Sequence, residues 1–569
     1  MKKTNHILLS SHPLCFPTSI AFILAVLLAA GTLCVAEEEP LRPQIQQWIQ
    51  QLGDDSFFVR QRAETLLIRA GIQAYPDLQR AKQHRDIEVV RRAEYVLSQI
   101  EQAFLEVENR EVAVYIKFYI AALDLTDKAR IIWLLTDPAP VPLLEKGFEK
   151  GEGLQTLCRL VRFEENDTLR LEAAKTLIAV PPLSSTLRQK WYRSIRDSTP
   201  EPGDDELLQC LAFYTKLWCD LDDADEKITP AFQDRVRQVS AETLRLLERP
   251  ENIIQTGSKV DLLLLYAVAE LQDAAGLMED RDKTVAAALA LQPEPLPETT
   301  QFSFGLYDHL PMNEHYYVGW WLSQRFRLHW AKAHFQKVME TGHILLRAAA
   351  NSSAAELAVY LADYSSAAAC YDKYIELLEN SDYKDIYADS SPRVALAQRQ
   401  KVYCLAKKAV EEENWEGGRD AIMQAWLLSE VPISVEDMDL VILAYNLCKQ
   451  KFDADQAFKD KTEWALQQTW NAIVRDLENV PDMRCNAAAW LLANTDGDYS
   501  SALILAEAAL KAEPDNVNIL DTLAHVYFLG GKVDEAIRTQ ERVVRLAPEA
   551  VIFRQALERF KQAPRTVER

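Results

Sequence analysis

Gly497, Ala502 and Pro514 are followed at a constant spacing of 34 residues by Gly531, Ala536 and Pro548, with Ala509 matched by Val543 between them. Several residue types held in phase over one interval commit a chain to a repeating fold, because each unit is too short to bury its own apolar face and must stack on its neighbours. The residue types say what the unit is. A glycine turns the chain, alanines let two helices approach closely, and a proline stops the second helix. The expected architecture is an all-α fold, an α-α solenoid of stacked helical hairpins.

The second copy reads Leu520-x2-Leu523-Ala524-x2-Tyr527, then Gly531, Ala536 and Pro548. It resembles the tetratricopeptide repeat, W-x2-L-G-x2-Y…A-x3-F…P, with Leu in place of Trp, Ala in place of Gly, and Gln540 where an aromatic is usual. The clearest repeats span 483–516 and 517–550. Weaker copies lie upstream. One runs from Asn313 to Leu345 with Gly319, Ala331 and Phe335 in register, and another carries Ala355, Ala367, Tyr371 and Tyr374. A third, with Ala406, Ala409, Gly418 and Ala425, follows a polar insertion around Ser381 to Pro392 that breaks the register. Two further helices containing Leu440, Leu443, Trp464 and Trp470 do not fit the period. Roughly five or six hairpins result, above the three that a stable stack requires.

The N-terminal half repeats differently. Val59-Arg60-x-Arg62-Ala63-Glu64 returns 30 residues later as Val89-Val90-Arg91-Arg92-Ala93-Glu94, and a looser echo runs from Asp167 to Ala174. An acidic turn, an apolar residue with Arg, and a small residue opening the second helix of a pair resemble HEAT-type repeats. The alternating prolines Pro293, Pro295 and Pro297 favour extended chain and cannot continue a helix. The expected order is a signal peptide over 1–36, HEAT-like repeats over 37–292, a Pro-rich linker over 293–300 and tetratricopeptide-like repeats over 301–569.

Lys2 and Lys3, the apolar run Ile20 to Ala30, and Cys34-Val35-Ala36 before Glu37 form the pattern of an export signal, with cleavage after Ala36. An uncleaved membrane anchor is the rival, since no charge occurs from Ser10 to Ala36. Either way the chain is expected in the periplasm or cell envelope, touching membrane only through a retained anchor. Cleavage leaves 61 basic residues against 85 acidic ones. Such a surface repels phosphates, so nucleic acid is not an expected partner. The remaining cysteines are odd in number and scattered in apolar helical context, which reads as core packing, and no haem or zinc spacing occurs.

No nucleophile elbow, phosphate loop or dinucleotide fingerprint is present, and acidic pairs such as Asp204-Asp205 and Asp222-Asp223 read as solvated helix caps or linkers. The expectation is a protein that is not an enzyme, needs no cofactor, and binds a protein or peptide as a scaffold or assembly factor. By the tetratricopeptide resemblance, the first helix of each hairpin lines a concave surface. Tyr316 and Trp320, four apart, share a face there, and the same register adds Glu356, Tyr403, Lys407, Asp521 and His525. This set lacks the Lys/Asn constellation with which carboxylate-clamp members of the family hold a chain terminus. The alternative reading is an envelope metal-dependent enzyme or metal-binding protein built on His309, His315, His329, His334 and His343. His329 and His334, five apart, point in different directions on one helix, so neighbouring helices would have to complete such a site.

Overall fold

The computed structural model describes residues 42–104, 110–122, 124–135, 152–164, 166–181, 185–198, 205–222, 228–249, 259–291, 312–380, 391–427, 433–476, 481–495 and 497–563. The expected signal over 1–36, the linker over 293–300 and His309 lie outside them. Among the described residues every regular element is helical and no strand occurs. They gather into two compact units, one built from the helices up to Met278–Ala290 and one from Asn313–Gln324 onward.

In the first unit the repeated signature opens the second helix of a pair each time. Helix Phe57–Ala70 packs on Arg42–Gln51, Ile87–Phe104 on Tyr75–Ala81, and Asp167–Ala179 on Glu152–Phe163. The signature alanines Ala63, Ala93 and Ala173 are fully buried where the helices meet. Its arginines link one pair to the next: Arg92 pairs with Glu64 of the preceding signature, and Arg170 with Asp205. Asp205 in turn caps helix Glu206–Asp222, its Oδ1 accepting from the Leu207 and Leu208 amides at 3.0 and 3.1 Å. Burial would raise that carboxyl, but the Leu208 amide and Arg170 outweigh it and hold it below the usual carboxylate range.

The core of this unit contains a closed ionic group. Lys175 is wholly buried, with Nζ 2.8 Å from Glu172 Oε2 and 2.6 Å from Asp261 Oδ1. Burial alone would strip the ammonium of its proton; Glu172 and Asp261 outweigh it and keep the lysine charged.

The second unit is a row of hairpins, numbered here from its start: α1 (Asn313–Gln324) with α2 (Leu328–Thr341), α3 (Ile344–Tyr360) with α4 (Tyr364–Glu379), α5 (Ser391–Glu411) with α6 (Trp415–Leu427). Next come α7 (Met438–Lys451) with α8 (Gln456–Asp476), α9 (Pro481–Ala493) with α10 (Tyr499–Ala512), α11 (Val517–Leu529) with α12 (Val533–Leu546), and a last helix, α13 (Val551–Gln562). The small residues sit at the crossings. A β-carbon on Gly319 would lie 2.9 Å from the Phe335 ring, so α1 and α2 touch there only because that side chain is missing. Ala524 and Ala536 are fully buried together with Phe560.

One turn geometry recurs. Phe326, Ala362, Glu413 and Gly531 each take the left-handed conformation, at φ 55°, 55°, 60° and 70°. The next amide reaches back to close the helix end: Arg327 to the Leu322 carbonyl at 3.0 Å, Asp363 to Ala358 at 2.8 Å, Asn414 to Ala409 at 2.8 Å and Lys532 to Tyr527 at 2.9 Å. Glycine enters this region without cost, whereas a side chain there costs roughly 1–2 kcal/mol. Phe326 bears that strain, and its ring has a use. It lies 5.3 Å from Tyr360 and 5.8 Å from Phe553 of α13, and Tyr360 and Phe553 are 5.8 Å apart.

That aromatic triad joins the two ends of the row. Beside it the His329 amide donates to Glu549 at 2.9 Å, and the Tyr360 hydroxyl donates to Asn518 Oδ1 of α11 at 3.2 Å. The row of hairpins therefore closes on itself, with α1, α3, α5, α7, α9, α11 and α13 supplying its inner face. All seven described cysteines are free thiols and only Cys370 is partly exposed. No helix among the described residues is long and apolar enough to cross a membrane.

Candidate functional site

Pairs of residues four apart on successive inner helices point the same way. Glu356 and Tyr360 come from α3, Tyr403 and Lys407 from α5, and Asp521 and His525 from α11. Tyr316 of α1 reaches Ser353 and Glu356 of α3. Asp439 of α7 accepts from Trp490 Nε1 of α9 at 2.9 Å and sits within electrostatic reach of Lys407 and of Tyr403. The Tyr360 hydroxyl feels Glu356, Asp439 and Asp521 at once, so carboxylates from three inner helices converge on it.

Glu356 and Asp439 are open to water and crowded by protein at once. Both are true of a side chain on a concave wall. Water reaches it from one direction only, which weakens its solvation.

The consequences differ by residue. Burial pushes the Glu356 carboxyl up to about 7, with no other cause acting on it. Burial also raises Asp439, against the opposing pull of the Trp490 indole and Lys407. Asp521, deeper in the wall, is pushed up to about 7 by burial although Gln540 Nε2 donates to it at 2.7 Å and Arg559 of α13 stands near. Gln540 is the residue that replaces the usual aromatic of the repeat, and it also donates to the Phe553 carbonyl at 3.2 Å. The departure from the pattern thus satisfies a buried carboxylate. His525 lies 2.9 Å from Asn494 through Nδ1, with Trp490 and Phe560 rings 4.7 and 5.2 Å away. Burial and the Arg559 charge hold it well below the ordinary histidine range. It is therefore a neutral imidazole, with Nδ1–H donating to Asn494 and Nε2 facing Arg559 Nη2 at 3.3 Å. Burial pushes the Tyr316 hydroxyl up to about 12 and those of Tyr360 and Tyr403 higher, so all three remain neutral phenols.

Of the residues expected from the sequence, Tyr316, Glu356, Tyr403, Lys407, Asp521 and His525 share this wall. Trp320 is half-buried, its ring 5.7 Å from Tyr317. Four members were not anticipated. Tyr360 follows Glu356 by one helical turn and was readable by that spacing. Asp439 and Trp490 belong to helices whose lengths or register obscure the repeat, and Arg559 lies beyond the last copy.

Among the described residues the histidines do not gather at one point. His315 and His334 form a fully buried pair, their Nδ1 atoms 2.7 Å apart, so one ring donates to the other. Burial and then the neighbouring His315 hold His334 well below the ordinary histidine range. His343 caps α3, its Nδ1 accepting from the Leu345 amide at 3.3 Å, and His329 is exposed at the closure. Among the described residues no group of three or more His, Cys, Asp or Glu is placed to hold a metal ion.

Residues 493–558 match the family described as Tetratricopeptide repeat. Within the second unit, that stretch is similar to tetratricopeptide repeats. That match covers α10 to α12 and most of α13, the hairpins in which the spacing of 34 is cleanest. No curated protein matches the chain. Among solved structures it is similar to one entitled "Crystal structure of APC/C hetero-tetramer Cut9-Hcn1", at 13% identity, over 95% of this chain and 99% of that one, with a TM-score of 0.23. At that score the likeness carries no argument about shape or partner.

Proposed function

We propose that this chain is a non-catalytic scaffold or assembly factor, exported by its N-terminal segment to the periplasm or cell envelope, which holds a polypeptide against the inner face of its second unit. Tetratricopeptide repeats support protein binding as the class of function. The observation that carries the reading to this face is that Glu356 and Asp439 lie open to water on a crowded wall, beside the half-buried rings of Tyr316, Tyr360, Tyr403 and Trp490. Aromatic groups that are only partly covered are the anchors from which peptide-binding grooves draw most of their energy.

Site-specific photo-crosslinking in the cell of origin tests it. A photoreactive side chain replaces Glu356 or Lys407 on the inner face, or Glu376 on the outer helix α4. Polypeptide adducts from the inner positions and not from the outer one are the expected result. Adducts from the outer position alone would move docking away from the inner face.

A further inference from the structure

We infer that the inner face of the second unit is selective for an extended polypeptide segment bearing lysine or arginine side chains, with Glu356 as the counter-ion that the protein itself leaves unmatched. The inference rests on the preceding reading of this face as a docking surface and adds the chemistry of what docks. Three observations support it.

The first is the charge pattern. Glu356, Asp439 and Asp521 converge on the Tyr360 hydroxyl, and Glu411 lies within reach of Tyr403. Lys407 acts on Asp439, and Arg559 acts on Asp521. Glu356 has no such partner, and burial pushes its carboxyl up to about 7. A carboxylate held on a poorly solvated wall without a counter-charge gains more from an incoming ammonium or guanidinium than one already paired.

The second is the set of rings. Tyr316 and Tyr360 stand beside Glu356, and Tyr403 beside Asp439, all half-buried and all neutral. Aromatic faces next to a carboxylate attract a cation and accept the aliphatic stem of lysine or arginine. They would equally accept an apolar side chain, so the acid decides the selectivity.

The third is closure. The Tyr360 hydroxyl reaches Asn518, and Phe326 and Tyr360 pack on Phe553, so the first hairpins meet the last helices. A face that curls until its ends touch suits a slender occupant. An extended strand of chain is such an occupant.

The test uses the full chain and fluorescence anisotropy with labelled Gly/Ser peptides that carry lysines, arginines, glutamines or glutamates and are otherwise identical. Lysine and arginine peptides are expected to bind, and glutamate peptides are not. Glu356→Gln should weaken lysine-peptide binding about tenfold, the loss of one charge-assisted contact. Asp521→Asn should change it less, because Arg559 already offsets that carboxylate. Circular dichroism of both variants should match the parent. Equal binding of glutamine or glutamate peptides, no binding of any peptide at millimolar concentration, or an unchanged lysine affinity in Glu356→Gln would each overturn the inference. Crosslinks from Lys407 that persist in cells when Glu356 is Gln, together with any of those results, would leave the docking reading standing and remove only the selectivity for cations.

Discussion

Lys175 in the first unit and Glu356 in the second are both charged groups in poorly solvated places, and the protein treats them in opposite ways. Lys175 is sealed from water and held by two carboxylates within 2.8 Å. Glu356 is open to water and held by nothing. A buried ion pair is costly to build and more costly to break, since removing one partner strands the other in a medium that cannot solvate it. An exposed, unmatched carboxylate on a concave wall contributes nothing to holding the fold and carries a standing penalty that another molecule can relieve. The contrast separates charges that complete the architecture from charges kept for something outside it. Arg399 and Asp437, buried in the second unit at 2.7 Å, show that this unit also pairs its ions where structure requires it.

The largest test of the contrast falls on the sealed group. Lys175→Met keeps the length of the side chain and removes its charge, leaving Glu172 and Asp261 buried side by side. We expect a loss of about 3–5 kcal/mol in the stability of the first unit, read as an early unfolding transition in calorimetry of the full chain while the second unit melts as before. A variant as stable as the parent would mean that Lys175 is not the keystone its contacts imply.

The two halves were also unequally legible in the sequence. Glycine, alanine and proline report local events, a turn, a crossing and a stop, so the spacing of 34 exposed the hairpins of the second unit directly. The arginine signature of the first unit marked its helix pairs for the same reason. Lys175 with Asp261, 86 residues apart, and Tyr360 with Asn518, 158 apart, are products of tertiary stacking that no short pattern records. The inner face was readable where the register held, which gave Glu356, Tyr403, Lys407, Asp521 and His525. It failed at Asp439, whose helices are out of period. Phe326 was invisible because a left-handed turn calls for glycine, and the phenylalanine is explained only by the helix it touches at the far end of the row.

A smaller effect is expected at Asp521, between the sealed and the open cases. Its carboxyl is raised from an ordinary 3.8 to about 7, so the folded state binds a proton that the unfolded state has released. The stability this confers is complete below about pH 4 and lost as the pH climbs to about 7. The shift corresponds to at most roughly 4 kcal/mol. Asp521→Asn keeps an acceptor for Gln540 and removes the ionisation. It should melt above the parent at pH 8, with the difference vanishing toward pH 4. His334 and His525, held below the ordinary histidine range, act in the opposite sense, costing stability as the pH falls below about 6.5, and they do so equally in both proteins. Comparing melting temperatures of parent and variant across this range therefore isolates the aspartate, and a difference independent of pH would assign the effect to packing.

Glu356→Gln should have the smallest effect on the fold and for that reason is the most discriminating. The side chain is exposed, bonds to nothing, and at pH 8 carries a charge that its surroundings disfavour. Glutamine occupies the same space without that charge, so the melting temperature of the second unit should stay level or rise slightly at pH 8. The difference should vanish toward about pH 4, where the carboxyl is largely protonated in the folded and unfolded chain alike. If the variant instead melts several degrees lower at both values, Glu356 is bracing the wall as Lys175 braces its core. The two units would then use charge in the same way, and the case for an external cation would fall with the contrast. A level melting curve leaves a carboxylate that costs the folded protein something and returns nothing to it, and the remaining account of such a residue is a partner that supplies the missing positive charge.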